Sequence, residues 1–423
     1  MKRARLLLSA TTLAIVTAEA LWLARPELAE LVAEPAASPP AALEAPALIE
    51  RGRYLARAGN CIACHTQAGQ PAYAGGREIV TPFGSVFSSN LTPDPETGLG
   101  TWNADDFWRA MHYGKSRDGR RLSPAFPYTN YTLVTRADAD AIFAYLRTLP
   151  AVRSPRIDAS MRFPFDTQLA LLAWRAMYFR PGEFAADPQR DAAWNRGAYL
   201  VEGLGHCNAC HTTRTALGGL DSAAAYAGGP IPMLGWDALP LAREAPLSPD
   251  DAAALRSLLK TGTSRAAVAS GPMAEVVFFS TQYLETDDVD AMLRYIGTLP
   301  AHASQPRGLR VSEREKQALL EAGAPLYREH CASCHGDRGE GQGERYPALA
   351  GNRVALADSP RNAILAVVNG GFGPSTAGNP QPFGMPPFGH RLSDREIAAV
   401  LSHVRNAWGN AAPAVSEREI ERR

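Results

Sequence analysis

Cys61-Ile62-Ala63-Cys64-His65 is the stretch that decides the fold of this chain. Two cysteines that are separated by two residues and followed at once by a histidine are typical of covalent c-type haem attachment. Each thiol forms a thioether to the porphyrin, and the imidazole ligates the iron. The pattern occurs twice more, as Cys207-Asn208-Ala209-Cys210-His211 and Cys331-Ala332-Ser333-Cys334-His335. We therefore predict three haem c groups on one chain.

The cysteine count leaves no thiol for any other purpose, because the three motifs contain all 6 cysteines. Disulfides are therefore not expected. Structural zinc is a weak alternative, since such a site needs four ligands and the cysteine pairs lie far apart in the sequence. The 43 basic and 43 acidic residues cancel, and this balance argues against a nucleic-acid partner.

The N-terminus carries an export signal, as haem c requires, because the haem is attached on the outer side of the bacterial inner membrane. A positive start, Met1-Lys2-Arg3-Ala4-Arg5, precedes an apolar stretch that continues to about residue 24. Ala18-Glu19-Ala20 fits the cleavage site of a removed signal peptide. A stretch of about 20 residues also suffices to span a bilayer as an anchor. We expect an anchored chain at the periplasmic face of the inner membrane, with the cleaved signal peptide as the alternative.

Repeated segments flank the three motifs and define whole units. A short helix leads into each motif and carries an aromatic residue: Tyr54, Tyr199 and Tyr327. An amphipathic helix with apolar residues at i, i+3, i+4 and i+7 ends each unit. These apolar positions are Ile142, Tyr145, Leu146 and Leu149 in the first unit, Met292, Tyr295, Ile296 and Leu299 in the second, and Ile397, Val400, Leu401 and Val404 in the third.

The starts of these closing helices carry capping signals. Thr135 with Asp138 and Ser393 with Glu396 have the side-chain pattern of a capping box, and Thr286 is expected to cap the middle helix.

The repeats predict a mainly α fold with three tandem class I-like cytochrome c domains after the N-terminal segment. The expected division is a signal peptide or anchor at 1–25, a Pro/Ala-rich tether at 26–47, domain one at 48–152, an insert at 153–190, domain two at 191–302, domain three at 303–411 and a tail at 412–423. The insert has no haem motif. Its apolar run at 168–179 predicts a helix packed between domains one and two, with a surface for a partner subunit as the alternative.

Each iron needs a second axial ligand for electron transfer, and Met or His is the usual choice. In the third domain, Met385 lies in a proline-rich loop before the closing helix, and we assign it to the third iron. In the second domain, Met273 follows a Gly-Pro pair and lies between the motif and the closing helix, as Met385 does in the third. We assign it to the second iron. Met233 and Met292 are expected to be packing residues instead.

The first domain departs from this pattern, because Phe126 stands where the methionine is expected. A phenyl ring does not ligate iron. His112 and Met111 are the alternatives for the sixth ligand, and an open or water-bound iron is the third possibility. His206 and His330 directly precede a haem cysteine and are expected to pack in a haem pocket.

Several stretches give the chain after residue 48 a family resemblance: Ala74-Gly75-Gly76, Thr81-Pro82-Phe83-Gly84, Asn90-Leu91-Thr92-Pro93-Asp94, Gly203-Leu204-Gly205-His206 and Gly271-Pro272-Met273-Ala274-Glu275. It resembles the trihaem cytochrome c subunit of membrane-bound periplasmic dehydrogenases of the alcohol, gluconate and aldehyde type. The version around Phe126 is more similar to members that accompany molybdenum hydroxylases. Many members carry Met at that position, so their first axial ligand is not transferred to this chain.

The resemblance implies an electron-transfer subunit without a catalytic residue or substrate site of its own. It implies a catalytic partner subunit that carries molybdenum, flavin or pyrroloquinoline quinone, and ubiquinone or a terminal oxidase as electron acceptor. Two alternatives stay open. One is a peroxidase-like enzyme with an open first iron beside His112 and Arg109, and the other is a free-standing multihaem electron shuttle.

Overall fold

The structure, a computed structural model, describes residues 40–242, 246–301 and 311–421. The expected anchor or signal peptide at 1–25 lies outside the described residues. Of the helices in the described part of the chain, none has the length and apolar character needed to cross a bilayer. Residues 40–47 were expected to continue the tether, but they contain a short helix and the start of the next one, which begins with Pro46 in its first turn. Proline suits that position because its missing N–H has no partner within the helix.

The chain forms two compact units. Among the described residues, the first unit contains 40–189, 199–206 and 214–220, and the second contains 190–198, 207–213 and 221–421. The segments 199–206 and 214–220 were expected to belong to the second cytochrome domain. They belong instead to the compact unit of the first domain.

The first unit is mainly helical and has one small antiparallel sheet. Its elements in chain order are α1 Pro40–Leu43, α2 Pro46–Ala58, α3 Cys61–Cys64, β1 Glu78–Thr81, β2 Gly84–Phe87, α4 Ala104–Tyr113, α5 Tyr128–Tyr131, α6 Arg136–Arg147, β3 Ser160–Met161, α7 Gln168–Tyr178 and the π-helical turn Tyr199–Leu204. The sheet has the order β1-β2-β3, with Glu78 opposite Phe87 and Gly84 opposite Met161.

The second unit is also mainly helical, with three two-stranded ribbons. Its helices are α8 Ala192–Ala198, α9 Asn208–His211, α10 Pro249–Thr261, α11 Pro272–Phe279, α12 Thr286–Ile296, α13 Glu313–His330, α14 Ala332–His335, α15 Arg361–Asn369, α16 Asp394–Asn406 and α17 Glu417–Glu421, with short 3-10 turns at Ser222–Ala224 and Thr281–Tyr283. The ribbons pair β4 Gly229–Pro230 with β5 Asp237–Ala238, β6 Thr263–Ser264 with β7 Ala267–Val268, and β8 Gly371–Phe372 with β9 Gly384–Met385.

The same helix crossing occurs three times. In each case the helix that leads into a motif crosses the closing helix. The pairs are α2 with α6, α8 with α12, and α13 with α16. Each leading helix presents a glycine at the crossing, and a Cβ there would lie 1.8, 1.9 or 2.1 Å from an alanine carbonyl oxygen of the closing helix. Glycine permits this approach because it has no side chain. The three glycine–alanine pairs are Gly52 with Ala141, Gly197 with Ala291, and Gly323 with Ala399.

The predicted closing helices are confirmed, but only one of the three capping predictions holds in full. Ser393 and Glu396 form a complete capping box. Thr135 accepts a hydrogen bond from the Asp138 amide, whereas the Asp138 carboxylate binds Arg51 and Tyr199 rather than returning to the cap. The prediction for Thr286 is wrong, because the helix includes Thr286 and no side chain caps it.

The C-terminal segment packs into the core of the third domain instead of forming a tail. Val415 and Ile420 are fully buried in one apolar cluster with Leu319, Ile364 and Ile397. The Arg405 guanidinium, which is also buried, holds the neighbouring backbone by donating to the carbonyl oxygens of Pro413, Ala355 and Ala357. Residues 412–421 therefore contribute to the stability of this domain.

The insert contains the expected helix, and that helix packs within the first unit. Trp174 donates from Nε1 to the Leu217 carbonyl oxygen, 3.0 Å away. Arg175 is fully buried and donates to the Tyr113 carbonyl oxygen, with its guanidinium 5.4 Å from the Tyr128 ring centre. The bond from Trp174 joins the turn at 214–220 to the first unit, and the Arg175 contacts fix the helix itself within that unit.

Candidate haem sites

Each of the three motifs forms a single helical turn. The histidine amide donates to the carbonyl oxygen of the first cysteine, at 3.0 Å for His65 and His211 and 2.9 Å for His335. The turn places two thiols and one imidazole on a short stretch of backbone with fixed spacing. None of the six cysteines forms a disulfide. The thiols therefore remain available for thioether bonds.

A backbone carbonyl orients each motif imidazole. Nδ1 lies 2.7 Å from the Ser89 oxygen in His65, 2.7 Å from the Leu239 oxygen in His211, and 2.9 Å from the Pro347 oxygen in His335. A carbonyl oxygen only accepts, so Nδ1 carries the hydrogen and Nε2 keeps its lone pair. A hydrogen bond of this kind fixes the tautomer and orientation of histidines that ligate metals.

A second backbone bond closes the loop after each motif. The amides of Gly75, Gly228 and Gly341 donate to the carbonyl oxygens of His65, His211 and His335, respectively, each at 2.8 Å. Burial is the main effect on all three imidazoles and lowers their pKa. The lowered pKa favours the neutral form, which is the form that ligates iron.

The first two sites also share a tetrapeptide after the motif. Tyr73-Ala74-Gly75-Gly76 and Tyr226-Ala227-Gly228-Gly229 both begin with a tyrosine of positive φ, 64° and 60°. The backbone amides of these tyrosines donate to the hydroxyls of Thr66 and Thr212, at 3.1 and 2.9 Å. The loop is therefore built in the same way at both sites.

The first unit contains a buried polar atom that fits a bound haem. Trp108 is fully buried, and its Nε1 has no hydrogen-bond partner within the protein. An unpaired buried donor is costly, so it is expected to bind an acceptor. A haem propionate is such an acceptor. Among the described residues, no group of three or more His, Cys, Asp or Glu side chains is arranged to hold a bare metal ion.

The methionines of the second unit differ in their surroundings. Met385 lies in strand β9 opposite Gly371 and packs, partly buried, against the core of the third domain. Met273 is half-buried in the first turn of α11, after Gly271, which lies against the Trp236 ring. Met292 is buried within α12, whereas Met233 is 57% exposed in a turn. Met273 and Met385 are thus both partly buried, whereas Met292 is buried and Met233 is exposed.

The three residues considered for the first iron are Phe126, Met111 and His112, and they have different surroundings. The half-buried Phe126 ring lies 5.3 Å from the Tyr131 ring centre. Met111 and His112 are both buried in α4. The His112 ring stacks on Trp108 at 4.3 Å, one ring nitrogen is bonded to the Thr132 backbone, and Nδ1 has no partner within the protein. Burial lowers the pKa of His112 to about 4, so this ring is neutral near pH 7.

Sequence reasoning missed the three carbonyl groups that orient the imidazoles. Ser89, Leu239 and Pro347 share no side-chain property, and any residue supplies a carbonyl. No motif therefore signals them. The repeat of Tyr-Ala-Gly-Gly at the first two sites was also missed, although the two copies are identical in the sequence.

Comparison with known proteins identifies one matching protein family and several related proteins. The cytochrome c family model matches residues 49–150 and 320–408. The gluconate 2-dehydrogenase cytochrome c subunit of Pantoea cypripedii is 36% identical over 389 residues, which are 87% of each chain. The alcohol dehydrogenase (quinone) cytochrome c subunit of Gluconobacter oxydans is 36% identical over 398 residues, 89% of this chain and 82% of that protein.

A further relative is longer. A nicotinate dehydrogenase subunit of Pseudomonas putida is 39% identical over 379 residues, which are 87% of this chain and 31% of that protein. This chain thus spans less than a third of that relative and more than four-fifths of the other two. The match to the gluconate and alcohol dehydrogenase subunits extends over most of both chains, and the cytochrome c family model matches two regions of this one. The chain belongs to the family of cytochrome c subunits of dehydrogenases.

Proposed function

We propose that this chain carries electrons as the trihaem cytochrome c subunit of a dehydrogenase complex, with no substrate site of its own. The observation that carries the proposal is the threefold construction of one site. At each motif the same helical turn, the same Nδ1-to-carbonyl bond and the same histidine-to-glycine backbone bond recur. Three equivalent sites on one chain suit electron transfer from haem to haem.

Haem c supplies a reversible one-electron iron centre. The residues that would hold it are the six motif cysteines as thioether anchors and His65, His211 and His335 as proximal ligands. We assign Met273 to the second iron and Met385 to the third. Thioether ligation raises the potential of a haem relative to imidazole.

For the first iron we assign His112, with Met111 as the alternative. His112 is neutral at physiological pH and keeps an unpartnered Nδ1 in a buried position, as an iron ligand requires. An imidazole on this iron gives the first haem the lowest potential of the three.

The relatives support a proposal for the complex around the chain. Their names assign them to dehydrogenases of gluconate, alcohol and nicotinate, so the proposed partner is a catalytic subunit that oxidises alcohols, sugars or aldehydes. That subunit would carry molybdenum, flavin or pyrroloquinoline quinone. The proposed acceptor is ubiquinone or a terminal oxidase, and the proposed location is the periplasmic face of the inner membrane, with the N-terminal segment as anchor.

Haem counting and turnover assays test the proposal together. The full chain, produced in a host that matures c-type cytochromes, is expected to carry three haems by intact mass and haemochrome absorbance. Replacing both cysteines of one motif by serine, as in Cys331→Ser with Cys334→Ser, should remove one haem and leave the other two. The purified chain should accept and donate electrons without oxidising alcohols, sugars or aldehydes. Two haems in the unaltered chain, or turnover by the chain alone, would contradict the proposal.

A further inference from the structure

Two of the three carbonyl groups that orient the motif imidazoles lie in segments held by a neighbouring domain of the same compact unit. The first case is His211, whose Nδ1 lies 2.7 Å from the Leu239 oxygen. Two residues before Leu239, the Asp237 amide donates to Oδ1 of Asn362 at 2.9 Å, and the Asp237 carbonyl oxygen accepts from Nδ2 at 2.7 Å. Asn362 belongs to α15 in the third domain.

Asn362 is well placed to fix this segment. Only 8% of the residue is exposed, so water does not compete strongly for its two bonds. A side-chain amide that bonds both backbone groups of Asp237 holds that residue as a neighbouring strand would. The third domain contributes another bond at Pro240, whose carbonyl oxygen accepts from the Arg353 guanidinium at 2.7 Å. The Leu239 carbonyl is therefore held on both sides by the third domain.

The reverse arrangement occurs at the third motif. Nδ1 of His335 lies 2.9 Å from the Pro347 oxygen. The next amide, that of Ala348, donates to the Arg265 carbonyl oxygen in the second domain at 2.9 Å. The orienting carbonyl of His335 is thus tied to the second domain, as that of His211 is tied to the third.

Thr263 adds a side-chain contact to the same loop. It is buried in β6 of the second domain, and its hydroxyl donates to the Glu344 carbonyl oxygen at 2.7 Å. The Glu344 carboxylate accepts from the Ser257 hydroxyl at 2.8 Å. Glu344 stands three residues before Pro347. The second domain therefore contacts this loop both before and after Pro347.

The first site is held by bonds within its own domain. Asn90 follows Ser89, whose carbonyl oxygen orients His65. Its Nδ2 donates to the Val152 carbonyl oxygen at 2.7 Å and to the Thr97 hydroxyl at 3.1 Å. All of these residues belong to the first domain. The first site therefore serves as an internal reference for changes at the other two.

We propose that Asn362 and Thr263 are positioning residues for the proximal histidine of the opposite domain. Asn362, in the third domain, orients His211, and Thr263, in the second, orients His335. Neither residue touches the imidazole it acts on, because each acts through a backbone carbonyl. The inference deepens the proposed function and rests on it, since these imidazoles need a fixed orientation in order to ligate iron.

The expected effect on the two sites follows from the bond at Nδ1. A hydrogen bond from Nδ1 to a carbonyl oxygen makes the imidazole a more basic ligand and fixes its plane. A more basic ligand favours ferric iron. When the carbonyl is less firmly held, this bond weakens, and the midpoint potential of that haem rises.

Redox titration and electron paramagnetic resonance of the purified, haem-loaded full chain test the proposal. We expect Asn362→Ala to raise the midpoint potential of the second haem and to shift its low-spin g values, while the third haem keeps its own. Thr263→Val should do the same to the third haem and spare the second. The first haem should change in neither variant. An effect on domain stability alone would instead alter the haem of the substituted domain.

The paired substitutions Cys207→Ser with Cys210→Ser, and Cys331→Ser with Cys334→Ser, assign the signals, because each pair removes one haem. Asn406→Ala is the matched control. Asn406 donates from Nδ2 to the Ser402 and Ala412 carbonyl oxygens at 3.0 and 3.1 Å, within the third domain. This substitution should leave the signals of the second haem unchanged.

If Asn362→Ala fails to bind three haems, Asn362→Leu takes its place, because leucine fills the volume of asparagine without its hydrogen bonds. The absence of the crossed shift in either domain, or an equal shift of the second haem in Asn406→Ala, would overturn the positioning roles. A wild-type chain with fewer than three haems would instead overturn the proposed function.

Discussion

Gly323 and Ala399 approach so closely that a Cβ on the glycine would lie 2.1 Å from the alanine carbonyl oxygen. Gly323→Ala therefore forces the helices α13 and α16 apart. We expect the third domain to lose about 1–3 kcal/mol of stability, as in other overpacked interiors. Thermal unfolding followed by haem absorbance measures the loss. Gly182→Ala is the control, because nothing lies within 4 Å of the added carbon there, and an equal effect in both variants would refute the crossing argument.

Met385 and Met233 form a matched pair for testing the third axial ligand. Replacing Met385 by Ala should remove one sulfur-to-iron absorption band in the far red and shift one midpoint potential. Met233→Ala should change neither, since Met233 is 57% exposed. The assignment fails if the band survives in Met385→Ala or disappears in Met233→Ala.

Spectroscopy distinguishes the two candidates for the sixth ligand of the first haem. His112→Ala should convert one low-spin haem to a high-spin form in the electron paramagnetic resonance spectrum, whereas Met111→Leu should leave all signals in place. In the wild type, a redox titration should assign the lowest potential to the haem on His65, because imidazole favours ferric iron relative to thioether. A highest potential for that haem would reject His112.

Tyr199 and Asp138 make a buried hydrogen bond whose loss should be measurable. Tyr199→Phe should cost about 0.5–3 kcal/mol, since the acceptor is a carboxylate. Burial, followed by the Asp138 charge, raises the pKa of Tyr199. A raised pKa in the folded state means that this contribution is present below the unfolded pKa of about 10 and is lost as pH rises through the higher folded pKa. Unfolding in denaturant at pH 7 and above pH 10 should therefore show a smaller difference between the two proteins at the higher pH. A constant difference would speak against the linkage.

The C-terminal segment offers a packing test. Ile420 is fully buried, so Ile420→Ala should destabilise the third domain by about 2–5 kcal/mol. Arg418→Ala, at an exposed position two residues earlier, should have little effect. Chemical denaturation of both variants gives the comparison, and equal stabilities would mean that residues 412–421 act as a tail after all.

The sequence predicted those parts of the structure that depend on side-chain identity at fixed spacing. The haem motifs, the closing helices and the helix of the insert follow from such patterns, because periodic apolar residues must face a core. The C-terminal segment escaped prediction because Val415 and Ile420 are isolated apolar residues without helical periodicity. The placement of residues 199–206 escaped it because Cys207 follows Gly197 by ten residues and Cys61 follows Gly52 by nine. A π-helical turn lies in the longer connection, and no sequence pattern predicts which neighbour such a turn contacts.

The carbonyl groups that hold the three proximal imidazoles have a consequence for how this protein tolerates change. A backbone oxygen is present whatever side chain occupies positions 89, 239 and 347, where serine, leucine and proline stand now. Point substitutions at these positions leave the acceptor in place. Most of them should therefore leave the orientation of the iron ligands unchanged. Insertions and deletions in the same loops displace the oxygen itself. We therefore expect related proteins to differ in the residues at these three positions but to keep the lengths of these loops.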